Sequence, residues 1–527
     1  MKIYYKIVTV FLILFITSCD LDFQDDPNNL TPEAADVSLL LVSVQTQLAS
    51  LFNGFNGSSM GYTRMQYQFG NYTGDASAFN SPWSTYYAGI LADNQVIIPL
   101  AQEKGLAKHA GIAQVIQAYS TVLMVDFFGN IPYSQAIQGT DNPNPEYDND
   151  YEIYASILQL LDTAIANLSD QIAPNVGSEF DIYYNGHTDQ WIKLANSLKL
   201  KMYVQTKKYN EAAAASGINA LLSENNLIIN SVDDFEFNYG TQSSAPDTRH
   251  PYYSGNYNSS GVGNYMSNSY MYALKSTNDP RLRYYFYRQT QSDPSGAELV
   301  CTLPPSPPDY YCYIGDGYWG RDHAIKAGIP GDTQRRTTWG LYPAGGSFDR
   351  DQFLPANAGN GAGGAGIEPF MLSSFVSFLK AEAILTIPGV NGNASDLFEN
   401  GISQSINKVK SFGSKAGVDL GGMQPTNSEI SDFISQQVTD FNAATASDKM
   451  ELLMTQYWIS LRGNGIEAYN NYRRTGLPSL QTPLSSGTIF PRSNLYPSNH
   501  ISTNSNSQQH SVTHQVFWDT NPVNFID

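Results

Sequence analysis

Apolar residues recur at helical spacing along two stretches of this 527-residue chain and stop recurring between them, and that break limits the fold more than any other feature. Ile112, Val115, Ile116, Tyr119 and Leu123 share one face of a helix predicted from Ala110 to Phe128, with Gly129 and Pro132 as its stop. Asp150 is placed to cap a second helix carrying Ile153, Ile157, Leu161, Ala164 and Leu168. Trp191, Leu194, Ala195, Leu198 and Met202 mark a third, residues 211–222 a short fourth, and residues 37–52 also read as helix. The pattern returns at 369–386, through Phe370, Phe375, Phe378, Leu379 and Ala383, then near 397–411 and 448–462. Between these stretches, 225–368 is rich in Tyr, Gly, Ser, Asn and Pro and lacks long amphipathic runs. It is expected to be irregular, with short strands and helices, and segments of this kind usually carry function. The expected fold class is mostly α, with paired helices mainly in 31–224 and 369–475 supporting a large loop-rich region mainly in 225–368. Residues 475–527 read as loop.

The N-terminus has its own pattern. Lys2 and Lys6 precede an apolar run from Phe11 to Ile16, and Thr17 and Ser18 lead into Cys19. The run is too short to span a bilayer, which takes about 20 apolar residues. Residues 1–18 therefore read as a lipoprotein export signal of the bacterial type, cleaved before Cys19. The Cys19 thiol would take a diacylglycerol, and more than one acyl chain on one residue gives stable attachment where a single chain is marginal. Residues 19–30, with Asp20, Asp22, Asp25 and Asp26, read as an acidic, solvated tether. Residues 31–527 are expected to form one body, and no other segment reads as a membrane span. Paired helices of this length also resemble tetratricopeptide hairpins in spacing, without that repeat's consensus.

Charge narrows the partners. There are 48 acidic and 29 basic residues, a formal charge of −19. Loss of 1–18 would remove two lysines and no acid. Nucleic acid is excluded as a partner, because affinity there comes from Lys and Arg on phosphates. Anionic lipid surfaces would repel the body. The chain carries 35 Tyr, and such an excess of stiff, amphipathic rings suggests recognition surfaces as well as core. Apart from Cys19, the cysteines are Cys301 and Cys312, which flank a proline-rich segment. In an exported protein they read as a disulfide, worth on the order of 3 kcal/mol for a loop of this size. Two lone cysteines give too few ligands for zinc.

No catalytic motif stands in the setting its chemistry needs. Gly57 to Gly61, with Ser59 central, matches the nucleophile-elbow spacing, but a helix and a Gly-Asn-rich turn precede it where a strand is needed. Gly361 to Gly366 matches a dinucleotide-binding spacing, yet no strand can precede it, and a flexible glycine loop is the better reading. The seven His show no zinc-protease spacing. Neither a cofactor nor a metal is expected, and nothing argues for an enzyme.

Several segments together resemble the SusD/RagB family of surface nutrient-binding lipoproteins of Bacteroidetes. They are Pro82–Asn94, Asp126–Ala136, Pro145–Tyr154, Trp191–Lys199, Asp279–Leu282, Lys380–Ala383, Gln456–Tyr469 and Tyr472–Pro478. Asp126–Ala136 is the most distinctive, with Asn130 and Gln135 departing mildly from the family's Asp and Glu. The polar members Asn196, Arg281, Glu382 and Arg473 sit beside apolar stripes and read as buried staples that fix helix packing. The resemblance implies tetratricopeptide-like hairpins, an outer-membrane location facing the cell exterior, and capture of an oligomeric nutrient, with a glycan favoured. It also implies delivery to a SusC-like TonB-dependent transporter. A peptide ligand is the alternative within the class, and a surface glycan hydrolase or a purely structural transporter subunit the alternatives outside it. Sugars bind by stacking on flat rings. Two aromatic segments could supply them: Tyr67, Tyr72, Asp75 and Trp83 early in the chain, and Tyr318, Trp319, Trp339 and Tyr342 in the central region.

Overall fold

The computed structural model describes residues 35–72, 74–292, 306–307, 309–326 and 335–526. The export signal, Cys19, the tether and Cys301 lie outside these residues. Among these residues, twelve helices of nine residues or more build the body. They are α1 (Val37–Tyr62), α2 (Ala92–Glu103), α3 (Ala107–Phe128), α4 (Asp150–Leu168), α5 (Thr188–Thr206), α6 (Glu211–Glu224), α7 (Asn268–Ser276), α8 (Ser373–Thr386), α9 (Ala394–Ser411), α10 (Asn427–Ala443), α11 (Ala446–Ser460) and α12 (Gly465–Thr475). Strands are short: β1 (Phe235–Asn238) pairs antiparallel with β4 (Ile367–Met371), and β2 (Phe286–Tyr287) with β3 (Thr338–Trp339).

Successive helices pack as neighbours, α3 on α4, α4 on α5 and α5 on α6 in the first half, α8 on α9, α9 on α10 and α10 on α11 in the second. The contact of α5 with α8 joins the halves, and α12 returns to lie against α1. Polar caps set the helix starts. Asn149, one residue before the expected Asp150, accepts the amides of Tyr151 and Glu152, while the Asp150 carboxylate takes the amide of Phe517 at 2.9 Å. Gly129, at φ +76, ends α3 where a side chain would be strained. Thr426 and Glu429 form a reciprocal capping box that opens α10.

Some expectations need correction. The helix expected over 37–52 runs unbroken to Tyr62, so the Gly-Asn-rich stretch after it is helical rather than a turn, and Ser59 lies inside α1. The helix expected from Pro369 begins at Ser373, because 367–371 is β4, where Pro369 lacks an amide that a two-stranded sheet can spare. The glycine run is packed backbone against backbone: Gly364 donates to the Gly345 carbonyl at 3.1 Å, and a Cβ on Gly361 would lie 2.0 Å from the Gly346 carbonyl. Finally, α1 and α3 both have the length and apolarity of a membrane span. Both belong to the core, and α3 is buried on nearly every side.

Candidate functional site

The expected ligand residues separate into surface and interior groups. Trp83 packs against Phe128 and His500. Trp339 is fully buried, stacked on Tyr252 at 4.5 Å with the Arg462 guanidinium 3.7 Å from its ring centre. Trp319 and Tyr342 are also interior, the latter stacked on Tyr285. The Tyr72 hydroxyl meets His323 Nε2 at 2.5 Å, and burial holds that imidazole neutral, its pKa well below the ordinary value. Asp75 is exposed. The Ser77 hydroxyl and amide donate to its carboxylate and hold its pKa below the usual range.

Tyr67 belongs to a surface shelf. It follows α1 on an extended segment stitched to two parts of the central region. Its amide donates to the Tyr265 carbonyl at 3.2 Å, its hydroxyl to the Ile325 carbonyl at 2.5 Å, and the Ala324 amide to the Gln68 carbonyl at 3.0 Å. Residues two apart on an extended chain share a face, so Phe69 stands beside Tyr67, edge-on at 6.5 Å and 58% exposed. Tyr265 lies edge-on to Tyr67 at 5.7 Å, with the guanidinium carbons of Arg321 and Arg336 at 4.7 and 4.0 Å from its ring centre. Burial pushes the Tyr67 hydroxyl up to about 12, against the pull of Arg321, so it stays a neutral donor. Phe69, Tyr265, Arg321 and Arg336 were not among the expected site residues. The alternation of Tyr67 and Phe69 was the one signal that could have raised Phe69.

Tyr318 lines a second feature, an open cavity of about 1200 Å³ between residues 275–291, the 351–353 turn and the start of α10. Its wall is fixed by charge. Arg288 binds both carboxylate oxygens of Asp349 and also Asp351, while Arg283 binds Asp351 at 3.0 Å. The Arg288 guanidinium lies 4.7 Å from the Tyr318 ring centre and 5.1 Å from that of Phe353. Asp351 and Phe353 both adopt positive φ, +60 and +53, a costly backbone for such residues. Gln424, Gln436 and Asp432 present amides and a carboxylate from the opposite side. Among the described residues no group of three or more His, Cys, Asp or Glu is arranged to hold a metal. Cys312 is disulfide-bonded, and its partner lies outside the described residues.

Two family models match this chain. One, SusD-like and described as starch-binding and associating with the outer membrane, covers residues 27–299. The other, described as SusD and RagB outer membrane lipoprotein, covers 367–510. The chain belongs to the SusD/RagB family. Solved structures agree on the fold. A SusD/RagB family protein from Bacteroides thetaiotaomicron aligns with TM-score 0.68 and 20% identity over 93% of this chain and 100% of its own. A chitin-binding SusD homologue from Flavobacterium johnsoniae aligns with TM-score 0.63 and 20% identity over 93% and 98%. A chitin-binding protein aligns with TM-score 0.68 and 20% identity over 92% and 100%. Comparison with curated proteins finds no match.

The SusD-like motifs have a structural meaning here. Asp126 is a buried hub that accepts from Tyr154 and from Trp518 Nε1 at 3.0 Å, Asn470 Nδ2 at 2.8 Å and Lys201 Nζ at 3.4 Å. Arg473 donates to the Asp126 carbonyl at 2.7 Å. Asp148 takes the amides of Tyr133 and Ser134. Glu382 is held by Arg474 through two hydrogen bonds, at 2.8 and 2.7 Å, and by Lys207 at 2.7 Å. Arg281 is clamped by Asp279, Ser405 and Gln456, and Asn196 donates to the Asn226 carbonyl. Asn196, Arg281, Glu382 and Arg473 are thus the buried staples expected of them.

Proposed function

We propose that the protein is a cell-surface receptor that binds an oligosaccharide across the Tyr67–Phe69 shelf and passes it to a SusC-like TonB-dependent transporter. The observation that carries this reading is the exposure of Phe69 beside Tyr67, an apolar platform large enough for a sugar face. The Arg336 guanidinium flanks it over Tyr265, and the neutral Tyr67 hydroxyl, its proton given to the Ile325 carbonyl, offers an acceptor for a sugar hydroxyl. Membership of a family described as starch-binding, and the chitin-binding names of two structural neighbours, support a glycan over a peptide. Binding leads to no chemical change in the ligand, and transfer to the pore is the productive step. Lipidation of Cys19, with the body facing outward, holds the receptor at the membrane, and pairing of Cys301 with Cys312 closes the loop beside the central region.

Calorimetry with chito-oligosaccharides, malto-oligosaccharides and a mixed peptide pool tests the reading. One saccharide series should bind saturably without turnover, and Phe69→Ala should weaken it about tenfold, as loss of one aromatic contact does. Saturable binding of peptides alone would replace the glycan, and release of shortened products would replace the receptor with a hydrolase.

A further inference from the structure

Lys207, Lys208 and Arg474 meet at a pocket of about 440 Å³ at the junction of α5, α8, α11 and α12. A concentration of cations is unexpected on a chain with formal charge −19. The buried Glu382 carboxylate is shared between Arg474 and Lys207, so it neutralises only one of them. Lys208 has no carboxylate within ion-pair distance among the described residues. Its ammonium donates to Asn521 Oδ1 at 2.6 Å and lies 5.1 Å from the Phe525 ring centre. Asp519, the nearby acid on the C-terminal segment, is engaged by Arg492 through both oxygens. Exposed Glu211 stands at the mouth. Three cations therefore face two carboxylates, and Met450 and Leu477 supply an apolar wall.

We propose that this pocket binds a small organic anion, its carboxylate or phosphate held by Lys208 with Lys207 and Arg474, its carbon skeleton against Met450 and Leu477. Both lysines are short of compensating charge: burial and the neighbouring Arg474 push each ammonium below the ordinary lysine value, although Glu382 pulls the other way on both and Asp519 on Lys208. A bound anion reverses that deficit, so binding takes up protons and weakens as pH rises through the depressed lysine range. The donors are charge-assisted and partly desolvated, the setting in which oxyanions are held best. The site is independent of the shelf.

The test uses the full mature protein at low ionic strength, with galacturonate as a six-carbon carboxylate and inorganic phosphate as an anion without a skeleton. Galacturonate should bind saturably, and more weakly as pH rises through the lysine range. Lys208→Gln should weaken binding about tenfold and leave the unliganded melting temperature unchanged. Met450→Trp, which fills the pocket without touching a charge, should abolish binding. Absence of saturable heat with galacturonate overturns the proposal. So does equal affinity in Lys208→Gln, and phosphate binding alone overturns the assignment to an organic anion.

Discussion

The helical body and the central irregular region use polar residues in opposite ways. In the body, Asp126, Glu382, Arg473 and Arg474 are buried and tied by several partners each, and their work is to fix how helices meet. Where the early Tyr67–Phe69 segment meets the central region, Tyr67, Phe69, Arg336 and Asp351 remain partly exposed, beside a shelf and a cavity. The comparison teaches that the residues by which this family is recognised are scaffold, while the residues of the proposed shelf lie in sequence that carries no motif. A family match therefore says little about which nutrient is bound.

The sharpest way to break that division is at Glu382. Glu382→Ala leaves Arg474 and Lys207 buried without their carboxylate and should cost about 3–5 kcal/mol of stability, read by denaturant unfolding. Any folded variant should bind saccharide as the parent does, and a selective loss of affinity would erase the distinction between scaffold and site. Burial alone would raise the Glu382 carboxyl, but Arg474 and Lys207 outweigh it and hold it at about 2. Its stabilising contribution is complete above the ordinary glutamate value and is lost as pH falls toward about 2.

A second buried glutamate at the seam between the regions behaves inversely. Among the described residues, Glu368 on β4 accepts only from neutral donors, Tyr239 at 2.7 Å and Asn56 at 3.0 Å, and burial raises it to about 7 despite them. The folded state then holds a proton that the unfolded chain gives up, so stability is full below the ordinary glutamate value and falls as pH rises to about 7. Unfolding measured from acid to neutral pH should show a decline of roughly 3 kcal/mol from this group, and Glu368→Gln should flatten it. An unchanged profile would place the titration elsewhere.

The smallest stability effect belongs to the shelf. Tyr67→Ala combined with Phe69→Ala should remove measurable saccharide affinity, while Phe69→Ala alone should shift folding stability by no more than about 0.5 kcal/mol. A large loss of stability from Phe69→Ala would make it another staple.

The sequence was readable where burial imposes a period. α3, α4 and α5 each bury a stripe or more, and their apolar spacing located them to within a few residues. α10 was missed because only Phe433 and Phe441 are buried along it, and its one local signal was the Thr426–Glu429 capping box. β4 was absorbed into a helix because Phe370 fits either period. The shelf was half legible: Tyr67 was named, but its neighbours Tyr265 and Arg321 arrive from about 200 residues or more away. Trp319 and Trp339 are large enough to fill an interior and do so, which makes a tryptophan by itself no sign of a ligand surface. The cavity beside Tyr318 depends on Arg288, Asp349 and Asp351 meeting across two chain segments, which no local pattern records.

The tie between Asp126 and Trp518 sets a schedule for biogenesis. The two residues lie 392 positions apart, so a nascent chain emerging from the ribosome or the export channel exposes the carboxylate long before the indole arrives. Until then the lock at the centre of the molecule stays open, and closure comes only with the last few dozen residues. A product clipped anywhere upstream of Trp518 keeps a buried acid with one donor missing, and should unfold more readily than the full chain.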